Sequence, residues 1–247
     1  VLQDDSQLAN QLLNFCPIDP VTQTFIVNKA DKKEASSLNE AAVINQILKR
    51  FSDLQDRRIP PRKDIKVLTD WNGIVIKCLA DAGAQFDRFD WLDVAIDTYQ
   101  HISSLAANHG PLLAHCSINN EPYGVAILDD YANMSQAALS LYELTGDDRF
   151  VTDAINWVNE LESAYCYSKS GGYLLSKESA SKFGYSTARE TATPSGNGTM
   201  VGVLSRLFSI VGDEIYRSRA ESILSTFAEE ISGNYLVMAT PVSYTHL

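Results

Sequence analysis

Five carboxylates and a set of aromatic, amide and basic side chains stand in three short runs of this sequence, each placed where a helix begins. The runs are Asp64-Ile65-Lys66-Val67-Leu68-Thr69-Asp70-Trp71-Asn72-Gly73, Leu128-Asp129-Asp130-Tyr131-Ala132, and Arg189-Glu190-Thr191-Ala192-Thr193-Pro194-Ser195-Gly196-Asn197-Gly198. Paired carboxylates are the minimal apparatus for cleaving a glycosidic bond, one as acid and the other as base or nucleophile. Asp64, Asp129, Asp130 and Glu190 are the acid–base candidates. Trp71 and Tyr131 offer faces on which sugar rings stack, and Lys66, Asn72, Arg189, Ser195 and Asn197 offer hydrogen bonds to a ligand. The same residues also have a structural reading. Thr69 or Asp70, Asp129 and Ser195 are preferred N-cap types, Pro194 is usual beside a helix start, and Trp71 fills cores as well as it stacks. Adjacent Asp129 and Asp130 cannot both point the same way from a regular helix, so one of them is expected to be a cap.

The elements that position these runs are helical. Apolar residues recur at helical spacing over long stretches, and two stretches repeat at a constant offset of 66 residues. Leu141-Tyr142-Glu143-Leu144-Thr145-Gly146-Asp147 matches Leu207-Phe208-Ser209-Ile210-Val211-Gly212-Asp213, and the register continues through Ala154 with Ala220 and Leu161 with Phe227. Upstream it pairs Asp130-Tyr131-Ala132 with Gly196-Asn197-Gly198. A looser third copy has Trp71-Asn72-Gly73 at its start and Ala82-Gly83 at its end. Each unit reads as an αα-hairpin: a helix closed by Gly at C′, a short acidic turn that caps the next helix, and an antiparallel return. A period near 60 residues exceeds that of the common helical solenoids, roughly 34–47, and suits hairpins arranged in a ring with their connecting loops at one rim. The fold class is therefore all-α, an (α/α) toroid of helical hairpins with short β-like loops between them. If first helices are equivalent, the three polar starts share that rim, where free N–H groups and positive dipole ends suit a polyhydroxylated or anionic ligand.

Upstream, residues 38–57 carry an amphipathic helical stripe ended by Pro60-Pro61, 23–27 form a short strand candidate, and 28–37 a polar loop. The division expected is a remnant over 1–37, the toroid over 38–238, and a tail over 239–247 that continues no periodic pattern. The opening residues lack an initiating Met and any signal-peptide character, as in a piece of a longer protein.

With 247 residues, 45% of them apolar, the chain can bury a sizeable core without staples. A net charge of −11 argues against nucleic acid and anionic lipid as partners, and favours a neutral or cationic small molecule. No window approaches a membrane span. Cys16, Cys78, Cys116 and Cys166 have no paired or zinc spacing, which points to reduced thiols and a cytoplasmic location. His101 and His109 lie near a helix end, His115 in a loop and His246 in the tail; His109 and His115 are six apart with no carboxylate cluster beside them in sequence, so no metal is expected. No glycine pattern for a nucleotide occurs and no cofactor is expected; Ser195 lacks the context of a nucleophile elbow.

The run from Arg57 through Gly73 resembles the R-x-x-P-x-x-D-D-K-x-L-T-x-W-N-G stretch of a widespread family that joins an N-terminal thioredoxin-like domain to a C-terminal helical toroid, and includes the YyaL-type and spermatogenesis-associated proteins. Leu128-Asp129-Asp130-Tyr131-Ala132, Thr145-Gly146-Asp147, Gly171-Gly172-Tyr173 and Pro194-Ser195-Gly196-Asn197 are similar to further motifs of that family, in the same order. The resemblance spans residues 45–230. It implies a six-hairpin glycosidase-like toroid, similar in fold to the N-acylglucosamine and cellobiose epimerases. It also implies that this chain supplies an incomplete ring, with the earlier hairpins and the thioredoxin-like domain of the parent missing here. Two functions follow as expectations: a sugar-binding, hydrolase- or epimerase-like pocket at the rim, or a non-catalytic scaffold for the redox domain or a protein partner. One departure bears on the first, since Ile65 stands where the family has the second Asp of D-D-K.

Overall fold

The computed structural model describes residues 63–107, 113–166, 171–177, 186–233 and 238–243, together with Asn45, Lys49, Ser52, Asp53 and Ile59. Residues 1–64 and 65–247 form two compact units. In the first, Asn45, Lys49, Ser52 and Asp53 are helical and exposed, at the spacing of the polar face expected over 38–57. The apolar stripe of that helix, the strand at 23–27 and the loop at 28–37 lie outside the described residues, as do Cys16, His109 and His246.

The second unit runs β1 (Val67–Leu68), α1 (Thr69–Gln85), α2 (Phe89–Ala107), β2 (Ala114–Ile118), β3 (Glu121–Val125), α3 (Leu128–Thr145), α4 (Asp148–Ala164), α5 (Gly196–Val211), α6 (Glu214–Gly233) and α7 (Ala239–Ser243). Helices α1, α3 and α5 pack side by side as an inner layer with α3 in the middle, and α2, α4 and α6 each return along their own partner outside it. This is an (α/α) toroid arrangement of hairpins. The middle helix shows why the pattern demands it: from Leu128 to Leu141 only Asp129 and Gln136 escape full burial, because α3 is covered from three sides. Tyr131, Met134, Leu139, Leu141, Met200 and Leu204 are among the largest closed-off side chains of this core.

The repeat extends to single hydrogen bonds. Gly146 and Gly212 both end their helices in the left-handed region, at φ 70° and 78°. The Asp147 carboxylate accepts from Arg149 N at 3.0 Å, and Asp213 accepts from Ile215 N at 3.0 Å. The third copy departs from this. Gly83 is buried within α1, whose end is closed three residues later by Phe86 N donating to Ala82 O. A Cβ on Gly83 would lie 3.0 Å from Arg88 O and 3.2 Å from Leu92 N, so the glycine admits the returning chain to the helix surface rather than reversing it.

Strand character between the first two hairpins is a real β-hairpin. Asn119 and Asn120 take φ 54° and 66°, the two-residue turn that matches strand twist, and β2 pairs with β3 on one side and β1 on the other. The second such loop holds only the isolated bridge Cys166–Tyr173. Beyond α6, Met238 is fully buried and α7 packs on α5, with Pro241 filling the space over Gly198.

Candidate functional site

The three inner-helix starts meet at one end of the unit. Asp70 N, in the first turn of α1, donates to Asp130 Oδ1 in the first turn of α3 at 2.9 Å. The start of α5 lies equally close to α3: a Cβ on Gly196 would be 2.3 Å from Asp129 Oδ1 and 2.6 Å from Leu128 Cγ. Beside this junction the segment before α5 folds over a cavity of about 490 Å³, lined by Asp129, Thr187, Arg189, Glu190, Thr193 and Ser195 among others.

The two neighbouring aspartates are divided by the helix geometry. Asp130 is wholly buried and acts as the cap: Oδ2 accepts from Ile127 N at 2.8 Å while Oδ1 takes the Asp70 N–H, tying the two helix starts together. A third partner is His115 of β2, whose Nδ1 stands 3.0 Å from Asp130 Oδ2. Asp129, one residue earlier, turns the other way to the cavity wall. Burial pushes its carboxyl up to about 6, with Asp70 and Asp130 adding to the rise and the Gly196 N–H and His115 opposing it. Asp130 is also raised by burial, against the pull of His115 and the Ile127 N–H. His115 is raised, chiefly by its hydrogen bond to Asp130.

The remaining candidates fall into distinct settings. Arg189 is exposed at the cavity, and Glu190 beside it is half-buried with Oε1 accepting from Thr240 N at 2.5 Å. Ser195 is the N-cap of α5, its Oγ accepting from Gly198 N at 3.0 Å. Asn72 donates to Leu68 O at 2.7 Å, fixing β1 to α1, while Trp71 is 56% exposed at the same helix start. Tyr131 is 1% exposed and packs edge-on against Tyr165 at 5.6 Å, so its ring faces the core. Lys66 lies exposed ahead of β1, and Asp64 is exposed in the first unit.

Asn197 does the work of a missing strand. Tyr173 N donates to its Oδ1 at 2.8 Å, and its Nδ2 donates to Tyr173 O and to Thr187 O, each at 3.0 Å. Asn197→Ala would leave buried backbone groups without partners and is expected to cost about 3 kcal/mol in urea unfolding, while Asn197→Asp, which keeps only the acceptor, should lose nearly as much.

A second prediction concerns pH. Asp129, Asp130 and His115 all hold protons more tightly when folded than when unfolded. Such groups stabilise most below their unfolded values, and that contribution is lost as pH rises through the folded ones. The melting temperature should therefore fall between pH 4 and 6.5, with Asp129 accounting for about 2 kcal/mol after discounting for its partial exposure, and fall further as His115 deprotonates. Asp129→Asn should flatten the first leg.

Sequence reasoning assigned His115 no role. It stands in β2, 15 residues before Asp130 with β3 between them, and no local pattern in the sequence ties the two together.

No family model matches the chain. It is 22% identical over 203 residues to human spermatogenesis-associated protein 20, covering 76% of this chain and 26% of that protein. A Caenorhabditis elegans protein, uncharacterized protein B0495.5, is 24% identical over 185 residues, covering 71% and 25%. The chain thus spans about a quarter of the length of the curated relatives it matches. Among solved structures, the GH76 α-mannanase BT2949 of Bacteroides thetaiotaomicron superposes with a TM-score of 0.55 at 15% identity over 78% of this chain and 56% of that one. The cellobiose 2-epimerase of Spirochaeta thermophila gives 0.52 at 14% over 77% and 55%. An inactive variant of the α-1,6-mannanase GH76A of Salegentibacter, with two consecutive aspartates replaced by asparagine and α-1,6-mannotriose bound, gives 0.52 at 12% over 90% and 68%. The resemblance carried by the ordered motifs holds: the chain is similar to the toroid region of the spermatogenesis-associated and YyaL-type proteins, and its fold is of the six-hairpin glycosidase-like kind.

Proposed function

We propose that the cavity at the inner-helix starts binds carbohydrate and that Asp129 is its acid–base group, in a hydrolase- or epimerase-like toroid. The observation that carries this reading is a carboxyl held near 6 on the wall of a cavity of about 490 Å³ whose other polar lining is largely hydroxyl and guanidinium. A group poised there exchanges protons at neutral pH, as acid catalysis of glycosidic cleavage or ring opening requires. Thr187, Thr193 and Arg189 would bind the sugar hydroxyls, Glu190 would be the second carboxylate, and Trp71 would serve as an exposed stacking face beside the site. The Salegentibacter mannanase supports this, since replacing two consecutive aspartates inactivates it and this chain carries consecutive Asp129 and Asp130 at an inner-helix start. Asp130 would then act by fixing the helix starts rather than by meeting substrate.

A specific observation favours the second reading, a scaffold without catalysis. Asp130, Glu190, Ser195 and Asn197 each spend side-chain oxygens on backbone N–H groups. In that case the toroid carries the thioredoxin-like domain implied for the parent protein, or a protein partner. For either reading the acidic charge speaks against nucleic acid. No described helix is long and apolar enough to cross a membrane, and the cytoplasm remains the proposed compartment.

Calorimetry of the full-length protein with mono- and disaccharides, including α-1,6-mannobiose and cellobiose, separates the two. Binding heat with at least one sugar, and loss of turnover in Asp129→Asn with binding retained, supports the first. Absence of heat with every sugar overturns it in favour of the scaffold.

A further inference from the structure

We infer that the sugar taken by this cavity is an acidic one, carrying a carboxylate or a phosphate, and that Arg189 is the residue that binds its charge. The inference rests on the carbohydrate reading of the cavity and narrows its substrate class. Six arginines lie among the described residues. Five are spent on carboxylates: Arg88 on Asp90 and Arg149 on Asp147 at 2.6 Å, Arg206 on Glu143 at 2.7 Å, Arg219 on Glu162 at 2.8 Å and Arg217 on Glu221 at 3.1 Å. Among the described residues Arg189 has no such partner, although the chain carries 31 acidic side chains against 20 basic ones. It is also the one arginine of the six on the wall of this cavity.

The base of the Arg189 side chain is held while its head is left open. Arg189 N donates to Thr187 Oγ1 at 3.1 Å, Asn197 Nδ2 donates to Thr187 O at 3.0 Å, and Ala188 between them is wholly buried. The segment is thereby tied to the start of α5, and a donor whose base is already ordered loses less freedom on binding. Neither carboxylate on the same wall occupies it: Glu190 Oε1 takes Thr240 N at 2.5 Å, and Asp129 takes the Gly196 N–H. A guanidinium presents a planar fork of N–H donors, which a carboxylate or phosphate matches with two parallel charge-assisted hydrogen bonds; a neutral sugar has no group of that shape and charge. The net charge of −11 disfavours anions at long range, but salt screens it beyond about 8–10 Å, and what a bound anion meets is the guanidinium. Asp129 and Glu190 repel an anion placed against them, which sets how the ligand lies. Its charge stays at the exposed Arg189, and its hydroxyl-bearing remainder lies toward the half-buried Asp129.

Calorimetry of the full-length protein with D-glucuronate, D-glucose 6-phosphate and D-glucose tests the charge. At least one of the two acids should bind about tenfold tighter than glucose at low salt, and the advantage should shrink as NaCl is raised. Arg189→Gln should abolish it. The acid that binds tighter identifies the group as carboxylate or phosphate. Glucose binding as tightly as both acids, or an acid preference that survives in Arg189→Gln, overturns the inference. A second measurement needs neither a variant nor a sugar. Phenylglyoxal modifies accessible guanidinium groups, and mass spectrometry of the Arg189 peptide should show that acetate or inorganic phosphate slows its modification where chloride at equal ionic strength does not. Protection of Arg189 beside silent calorimetry with every sugar would sink the carbohydrate reading and keep Arg189 as the anion-binding residue. Heat with glucose beside an Arg189 that neither anion protects would keep the sugar site and overturn this inference.

Discussion

Gly73→Leu should abolish the native fold or cost upwards of about 4 kcal/mol, the largest effect expected of any single substitution in the inner layer. Gly73 is buried in the first turns of α1, and a Cβ there would lie 2.8 Å from the backbone carbon of Asn133 and 3.0 Å from its carbonyl oxygen. Those atoms belong to the core of α3, which is itself packed against α5 and α4, so they have no direction in which to yield. Gly73→Ala tests the same point more gently. The gain in helix propensity, about 1 kcal/mol, should be outweighed by the forced separation, leaving a net loss of about 2 kcal/mol in urea unfolding. Gly146→Ala is the contrasting control: nothing lies within 4 Å of its Cβ position, and only its φ of 70° opposes a side chain, so about 1 kcal/mol is expected. A Gly73→Ala protein as stable as the wild type would show that α1 and α3 are not in backbone contact.

Asp130→Ala is expected to cost about 4 kcal/mol, because it strips the buried N–H groups of Asp70 and Ile127 of their acceptor and leaves His115 facing a void. Asp130→Asn should fall between, near 2 kcal/mol, since the amide keeps one acceptor oxygen and turns an NH₂ toward a donor. The consequence reaches the cavity. The Asp130 bridge holds the starts of α1 and α3 together, and Asp129 is the next residue along; when the bridge goes, the carboxyl near 6 should return toward its ordinary value as water enters. Combined denaturation and carboxyl titration would show the two changes moving together, and a stable Asp130→Ala protein with an unmoved Asp129 would refute the account.

The aspartate pair marks how far residue types alone can be read. That one of Asp129 and Asp130 must be a cap follows from helix geometry; which one does not, because the choice depends on where Asp70 N and His115 arrive from 60 and 15 residues away. Tyr131 and Asn197 likewise looked suited to a ligand by type and position. In the fold Tyr131 is closed against Tyr165, and Asn197 is saturated by the Tyr173 and Thr187 backbone. Gly83 resembled the helix-ending glycines at 146 and 212 by spacing, yet it serves close packing within α1.

What the chain alone determined is everything written within one or two turns of helix: the apolar stripes, the glycine and acidic-turn punctuation at Gly146-Asp147 and Gly212-Asp213, the repeat they define, and hence the ring of hairpins with polar starts at one rim. Those features depend on residues three to five positions apart, and short-range backbone geometry leaves them little choice. Only the tertiary structure decided which polar group each start spends on holding its neighbours and which it presents to the cavity. That allocation depends on partners brought together across dozens of residues, and a buried carboxylate, an exposed one and a cap are the same letter until the fold has said how much water each can reach.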